Sequence, residues 1–269
     1  MDLHDRYRVK PDSKIKLKDY DPGETAGIKN KKEAESRLER CLKDFNDLQY
    51  LLYAENRQSL LIVLQAMDAG GKDGAIRHVM SAFNPQGCRV TSFKKPAGEE
   101  LAHDYLWRIQ SAVPAKGEIA VFNRSHYEDV LVVRVHDLVP KKVWSRRYRQ
   151  VNDFERTLAE NGTRIIKFFL HISKDEQKKR FEQRLTDPTK RWKASPADFE
   201  ERKYWDDYTR AFEDAISHCS TRWAPWYVIP ANNKWFRNLA VAEIVRDTLR
   251  DMDMKLPKPS GEVWKVAIE

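Results

Sequence analysis

No stretch of these 269 residues approaches the about 18–20 consecutive apolar residues that a membrane-spanning helix needs, so no membrane partner is expected. The N-terminus, Met-Asp-Leu-His-Asp-Arg, lacks the apolar core of a secretion signal. Cysteine is scarce. Cys41, Cys88 and Cys219 are odd in number and show no metal-ligand spacing. That excludes a disulfide framework and fits free thiols in a reducing compartment. The expected location is cytoplasmic. Internal repeats and low-complexity segments are also missing, so neither a repeat array nor a long disordered region is expected.

What is present is a chain with enough apolar material for a sizeable core: 41% hydrophobic, 11% aromatic. The formal charge is +8, which calls for a polyanionic partner or substrate. Much of the excess lies in two blocks. Residues 178–193 hold seven basic side chains, among them Lys178, Arg180, Arg184 and Arg191, against two acids. Residues 134–149 hold six against Asp137. Solvated helix faces would explain either block equally well.

The chain is organised around Leu60 to Gly74. Leu60–Leu64 is a continuous apolar run that reads as a strand buried on both faces. Gly70-Gly71-Lys72 follows, and the sequence from Gly74 reads as a helix. A strand, a glycine turn with a lysine, and a helix make a phosphate cradle. Backbone N–H groups of Ala69, Gly70, Gly71, Lys72, Asp73 and Gly74 would converge on one anion. The pattern departs from G-x-x-x-x-G-K-[ST] in two places that matter. Ala66 replaces the first glycine, and Asp73 replaces the hydroxyl residue that helps to hold magnesium. Asp68 inside the loop would repel phosphate unless it holds a divalent cation.

Short strands are expected at 60–64, 89–93, 118–122, 164–172 and 226–229, alternating with helices. This pattern gives an α/β protein with a mainly parallel five-stranded sheet between helical layers, a three-layer α/β/α sandwich. Residues 1–30 read as an arm on the surface, 31–255 as a single domain, and 256–269 as a Pro-rich tail. Helices are expected over 31–56, 99–113, from about 126 to 135, and 143–160. Ser173-Lys-Asp-Glu176 opens a helix, and Ser195-Pro196 caps the next. The segment of about 174–218 is expected to form a helical hairpin that acts as a lid over the carboxyl edge of the sheet.

Phosphoryl transfer needs phosphates held in line, a metal to neutralise charge and cations around the transferring group. Arg124 at a strand end could reach a phosphate or serve as a structural ion-pair member. Glu128 and Asp129 could hold Mg²⁺ or merely favour a helix start. His126 reads as a scaffold residue. Trp192 and Trp205 fit either core packing or stacking on a base. The Lys94-Lys95 loop is expected near the phosphates.

Ala-Met-Asp-Ala-Gly-Gly-Lys-Asp-Gly at 66–74 and Phe-Asn-Arg-Ser-His-Tyr-Glu-Asp-Val at 122–130 resemble the two signature motifs of polyphosphate kinase family 2. The second resembles the branch that phosphorylates both AMP and ADP. Segments 168–177, 191–193 and 224–232 fit the same family, so the resemblance covers nearly the whole chain after residue 30. It implies a P-loop kinase-like fold with a helical lid and phosphoryl transfer from inorganic polyphosphate to AMP or ADP, giving ADP or ATP, with guanine nucleotides as further acceptors. It also implies Mg²⁺, or Mn²⁺ in its place, and a homodimer or homotetramer. Asp68, Lys72, Arg124, Glu128 and Asp129 match functional positions. Asn123, Arg124 and Tyr127 are expected at the nucleotide, and Lys178, Arg180, Arg184 and Arg191 along the polyphosphate path, with the 141–149 helix. Asn123 stands where many relatives outside this branch have Asp. That leaves open which acid orients the metal, Asp129 with Asp68 being favoured. Two rivals are an ATP-dependent nucleotide kinase of the thymidylate-kinase-like type and a polyanion- or nucleic-acid-binding module. Asp68 and Asp73 speak against the first. No nucleic-acid motif supports the second, so nucleic acid is not expected as a partner.

Overall fold

The computed structural model describes residues 2–193, 195–259 and 261. Five strands, β1 (Ser59–Gln65), β2 (Cys88–Ser92), β3 (Ile119–Asn123), β4 (Thr163–His171) and β5 (Trp226–Pro230), form one sheet. Its order is β2-β3-β1-β4-β5, and every pairing is parallel. The helices are α1 (Leu3–Tyr7), α2 (Lys31–Glu55), α3 (Lys72–Val79), α4 (Trp107–Gln110), α5 (Val132–Val135), α6 (Lys141–Glu160), α7 (Lys174–Thr186), α8 (Pro196–Glu201), α9 (Trp205–Cys219) and α10 (Lys234–Arg250). They cover both faces of the sheet, as the alternation of strands and helices predicts.

All seven residues of β1 are buried. Leu60, Ile62 and Leu64 enter the core under α2, α3 and α10, while Leu61 and Val63 enter the one under α6 and α9. The two-residue side-chain period of a strand sandwiched between helical layers requires this division. Helix α10 is buried nearly all round because α2 lies across it.

Chain order reverses beside β1: the chain leaves β1 for β2 on one side, and β4 lies on the other. The loops after β1 and β3 therefore emerge side by side, with Leu64 paired to Asn123 and the Arg124 N–H donating to the Leu64 carbonyl at 3.1 Å. Ligands of open α/β sheets bind at such a point.

Three expectations need correction. Residues 99–113 are not one helix. A 3-10 turn at Gly98–Ala102 is followed only by the single turn α4. Asp104 separates them by accepting the Leu106 N–H on its side chain, an Asx turn that competes with helix. Residues 126–135 also divide, into a 3-10 turn at His126–Val130 and α5, with a break at Leu131. Four valines in six residues (Val130, Val132, Val133, Val135) make a poor helix. Finally, residues 2–30 do not merely lie on the surface. Leu3, Tyr7, Val9, Ile15, Leu17 and Ile28 are buried. Arg8 pairs antiparallel with Tyr227, and the Val9 N–H donates to the Trp226 carbonyl at 2.8 Å. The arm thus covers the open edge of β5, a common way of protecting an edge strand. Its apolar residues show no period because they serve both cores and a strand edge.

The hairpin begins at α7, where the Ser173 side chain accepts the Glu176 N–H as expected, although the Glu176 carboxylate turns to Arg180 instead of completing a capping box. It returns through α8, capped by Ser195, and α9. Ala194 and the tail residues 260 and 262–269 lie outside the described residues.

Candidate active site

The loop between β1 and α3 needs small residues for steric reasons. A side chain on Gly70 would stand 2.4 Å from the Ala66 Cβ and 2.8 Å from the Met67 carbonyl. Gly71, the N-cap of α3, has φ of 104°, which an L side chain rarely adopts. Ala69 adopts φ of 58°, also in the left-handed region. The first turn of α3 leaves backbone N–H groups without intrahelical acceptors, and these can take an anion.

Lys72 is half-buried, and its ammonium donates to the Ala66 carbonyl at 3.2 Å. Burial lowers its pKa, Arg124 lowers it further, and Asp68, Glu128 and Asp73 pull the other way. The carboxylates that bear on this lysine are thus Asp68, Glu128 and Asp73. Asp129 is not among them.

The loop opens into a cleft of about 960 Å³. Among the described residues its lining carries ten Lys or Arg side chains against only Asp68 and Asp73. Lys72, Arg124, Arg180 and Arg184 are there as the sequence places them, as are Lys94 and Lys95 from the loop after β2. Asn123 lies at its rim and donates to the Asp73 carboxylate at 2.9 Å. A second cleft of about 230 Å³ lies under the hairpin. It contains Asp68, Glu128, Asp198 and Glu201 together with Arg124, Arg202 and the aromatic rings of Trp205, Tyr208 and Phe212. Among the described residues Asp68 and Arg124 alone line both clefts, and they stand 3.5 Å apart as a partly exposed ion pair. Arg124 holds φ of 63°, a strained value kept in place by its N–H on β1.

Several expected site residues stand elsewhere. Asp129 is buried, lines neither cleft, and binds Arg147 at 2.9 Å. Burial pushes its carboxyl up to about 6, with Arg147 and Arg108 opposing. Tyr127 is fully buried behind the loop. Its hydroxyl donates to Glu155 at 3.0 Å and accepts from Lys167 at 2.8 Å, so it cannot touch a nucleotide. His126 is buried in the same cluster, 3.2 Å from Glu155, which bears out its reading as scaffold. Both turn inward because the residues after β3 form a 3-10 turn, so spacing that assumes an α-helix assigns the wrong faces. Lys178 points to solvent beside Glu182, and Arg191 donates to the Leu185 carbonyl; neither lines the large cleft. The 134–149 block contributes nothing to either lining. Its Arg134 and Arg147 are spent on Asp214 and Asp129. Of the two aromatic candidates, Trp192 borders the large cleft and Trp205 the small one.

Sequence reasoning missed Arg77, Lys234 and Arg237, all of which line the large cleft. Arg237 is buried, and burial beside Arg180 lowers it to about 10. Its guanidinium fills the space that the missing side chains of Gly71 and Gly74 leave open. The available signal was positional: Lys234 and Arg237 occupy the first turn of the helix after β5, at the same carboxyl edge as the phosphate loop.

The carboxylates present fit a divalent cation that is held largely by phosphates and water. Asp68 and Glu128 offer carboxylate oxygens in the smaller cleft, and no group of three or more His, Cys, Asp or Glu that could hold a metal occurs among the described residues. Mg²⁺ commonly takes one or two protein carboxylates and draws its other oxygens from phosphates and water. No helix among the described residues is long and apolar enough to cross a membrane.

A parallel sheet with a glycine loop and lysine at its switch point, opening on a cation-lined cleft, defines a P-loop kinase-like protein. The model of the Polyphosphate kinase 2 (PPK2) family matches residues 28–257, and the chain belongs to that family. It is 53% identical over 265 residues to an AMP/ADP-polyphosphate phosphotransferase of Meiothermus ruber, covering 98% of this chain and 99% of the relative. It is 46% identical to an ADP-polyphosphate phosphotransferase of Rhodopseudomonas palustris, covering 94% and 92%. The crystal structure of Polyphosphate Kinase 2 from Arthrobacter aurescens superposes with a TM-score of 0.94 at 44% identity, covering 98% of this chain and 94% of the other.

Proposed function

We propose that this enzyme transfers the terminal phosphoryl group of inorganic polyphosphate to the terminal phosphate of AMP or ADP. The observation that carries the reading is the pair of unlike clefts joined, among the described residues, only by Asp68 and Arg124. Ten cations without aromatic recognition elements beyond Trp192, Phe93 and His78 suit a long polyanion that has charge but no shape to read. The smaller cleft, with arginines, carboxylates and three aromatic rings, suits a nucleotide. The names of the two relatives support polyphosphate and AMP or ADP as the two substrates.

In this reading Lys72 and the loop N–H groups hold the phosphoryl group in flight, and Arg124 neutralises charge developing between donor and acceptor. Asp68 and Glu128 would hold the metal, Mg²⁺ or Mn²⁺, which would supply charge neutralisation at the phosphates. Asp129, paired with Arg147 outside both clefts, takes no direct part. The acceptor phosphate is already ionised, so no strong general base is needed. Arg184, with its Asp198 partner at 3.4 Å, and Lys190 bring hairpin charge to the donor path. Guanine nucleotides as further acceptors and a homodimer or homotetramer remain part of the proposal.

The test is product analysis with AMP, ADP and GDP against long-chain polyphosphate and Mg²⁺, with ATP as a control donor. ATP formation from ADP and polyphosphate alone is expected. Transfer only from ATP would overturn the reading in favour of an ordinary nucleotide kinase. Glu128→Gln should lose more activity than Asp129→Asn; the reverse order would return the metal to Asp129.

A further inference from the structure

Gln177 and Arg180 lie one turn apart on α7, and both are buried. The Gln177 amide donates to the Asp68 carbonyl at 2.9 Å. Arg180 donates to the Ala69 carbonyl at 2.9 Å through one guanidinium nitrogen and to the Ala231 carbonyl through another. Two successive carbonyls of the phosphate loop are therefore gripped from one face of one helix. In a trans peptide the N–H points opposite the C=O. Fixing these carbonyls thus fixes the direction of the Ala69 N–H and holds the turn in which the Gly70 N–H donates to the Met67 carbonyl at 2.9 Å. It also fixes the backbone from which the Asp68 carboxylate hangs. Ala69 holds its left-handed φ only where the surroundings over-determine it, and these two hydrogen bonds are part of that restraint.

Gln177 is tied in turn to the returning arm of the hairpin. Its carbonyl oxygen accepts from Arg202 at 2.8 Å, and Arg202 also donates to the Lys174 carbonyl at 2.8 Å. A continuous path runs from the turn after α8, through Gln177, to the loop.

We propose that Gln177 is a positioning residue that holds the phosphate loop in its anion-gripping form and makes that form depend on the hairpin being seated. The proposal rests on the reading of this loop as the phosphate cradle. Gln177 borders the smaller cleft, but its amide nitrogen and oxygen are both already engaged. Its influence passes through the Asp68–Ala69 peptide.

The experiment compares wild type, Gln177→Leu and Gln177→Glu. The leucine removes both hydrogen bonds. The glutamate keeps an acceptor for Arg202 but, when ionised, cannot donate to the Asp68 carbonyl. Loss of a hydrogen bond that acts only through geometry should lower kcat by about tenfold or more in both variants. The nucleotide KM should stay within about threefold. Hydrogen exchange in the ligand-free protein should quicken across residues 66–74 but not across β1 or β4. Wild-type kcat together with unchanged loop exchange would overturn the proposal. So would a raised nucleotide KM at unchanged kcat, which would make Gln177 a substrate contact, or exchange quickened through the whole chain, which would make its role one of stability. Failure of the functional reading shows separately, as wild-type protein without transfer from polyphosphate.

Discussion

Lys167→Met should destabilise this protein sharply, and the size of the effect follows from what Lys167 touches. The ammonium is fully buried on β4 and donates to Glu155 at 2.5 Å, to the Tyr127 hydroxyl at 2.8 Å and to the Cys219 carbonyl at 2.7 Å. Burial lowers the lysine. Burial alone would raise Glu155, but Lys167 and His126 outweigh it and hold the carboxyl below its usual range, so the pair is ionised together. Removing the cation leaves a carboxylate buried without its counter-ion, which costs about 3–5 kcal/mol. Unfolding entropy is about 2.1 cal/mol/K per residue, so 269 residues give about 0.56 kcal/mol/K and a fall in Tm of about 5–9 °C. Lys167→Met combined with Glu155→Leu should recover much of the loss. A residue of about 1–3 kcal/mol remains because Tyr127 and His126 lose an acceptor. Thermal melts followed by circular dichroism, with calorimetry on the same samples, measure both. A single variant within about 1 kcal/mol of wild type, or a double variant no better than the single, would refute the buried-pair argument. Activity should fall in the single variant as well, because His126 and Tyr127 anchor the turn that carries Glu128.

Other outcomes are open to measurement. Asp129 is held up to about 6 by burial, above its unfolded value near 3.8. The native state therefore binds this proton more tightly than the unfolded chain. Its stabilising contribution is complete below about pH 4 and is lost as pH rises through 6, about 3 kcal/mol in all. Asp129→Asn should accordingly gain stability relative to wild type between pH 4 and pH 7.5 in urea titrations; a pH-independent difference contradicts this. Gly71→Ala would place a Cβ 2.0 Å from Arg237 at φ of 104°. It should cost about 1–3 kcal/mol and at least an order of magnitude in kcat, whereas wild-type kinetics would show that the loop has room to spare. Lys72→Met should lower kcat by about 10²–10³ with an unchanged Tm; a loss of Tm with kcat preserved would make Lys72 a structural residue.

The sheet was legible largely because the four strands buried on both faces leave apolar runs, whereas the edge strand β2 is mostly exposed and has none. Leu60–Leu64 is expected and Ser59–Gln65 found, and the other four strands agree equally closely. The loop at 68–74 was legible because glycine spacing and a lysine are local signals. What lay outside local sequence was orientation. Glu128 and Asp129 are neighbours of the same charge, and only the 3-10 pitch decides that one faces the cleft while the other binds Arg147. Arg237 reaches the loop from a helix more than 160 positions later, a contact no local pattern encodes. The basic block at 134–149 has a charge pattern as strong as that of the hairpin, but two of its arginines are neutralised by acids outside it, Asp129 at 18 positions from Arg147 and Asp214 at 80 from Arg134.

The arm that closes the β5 edge carries a consequence for how the molecule is made. Val9 pairs with Trp226, and the Pro22 carbonyl accepts from Asn232. The arm is synthesised more than 200 positions before its partners, so it finds its seat only after β5 has emerged. Until then a strand edge and six apolar side chains of the arm are exposed together, and that interval is when a nascent chain of this design is most open to chaperones or to pairing with a neighbour.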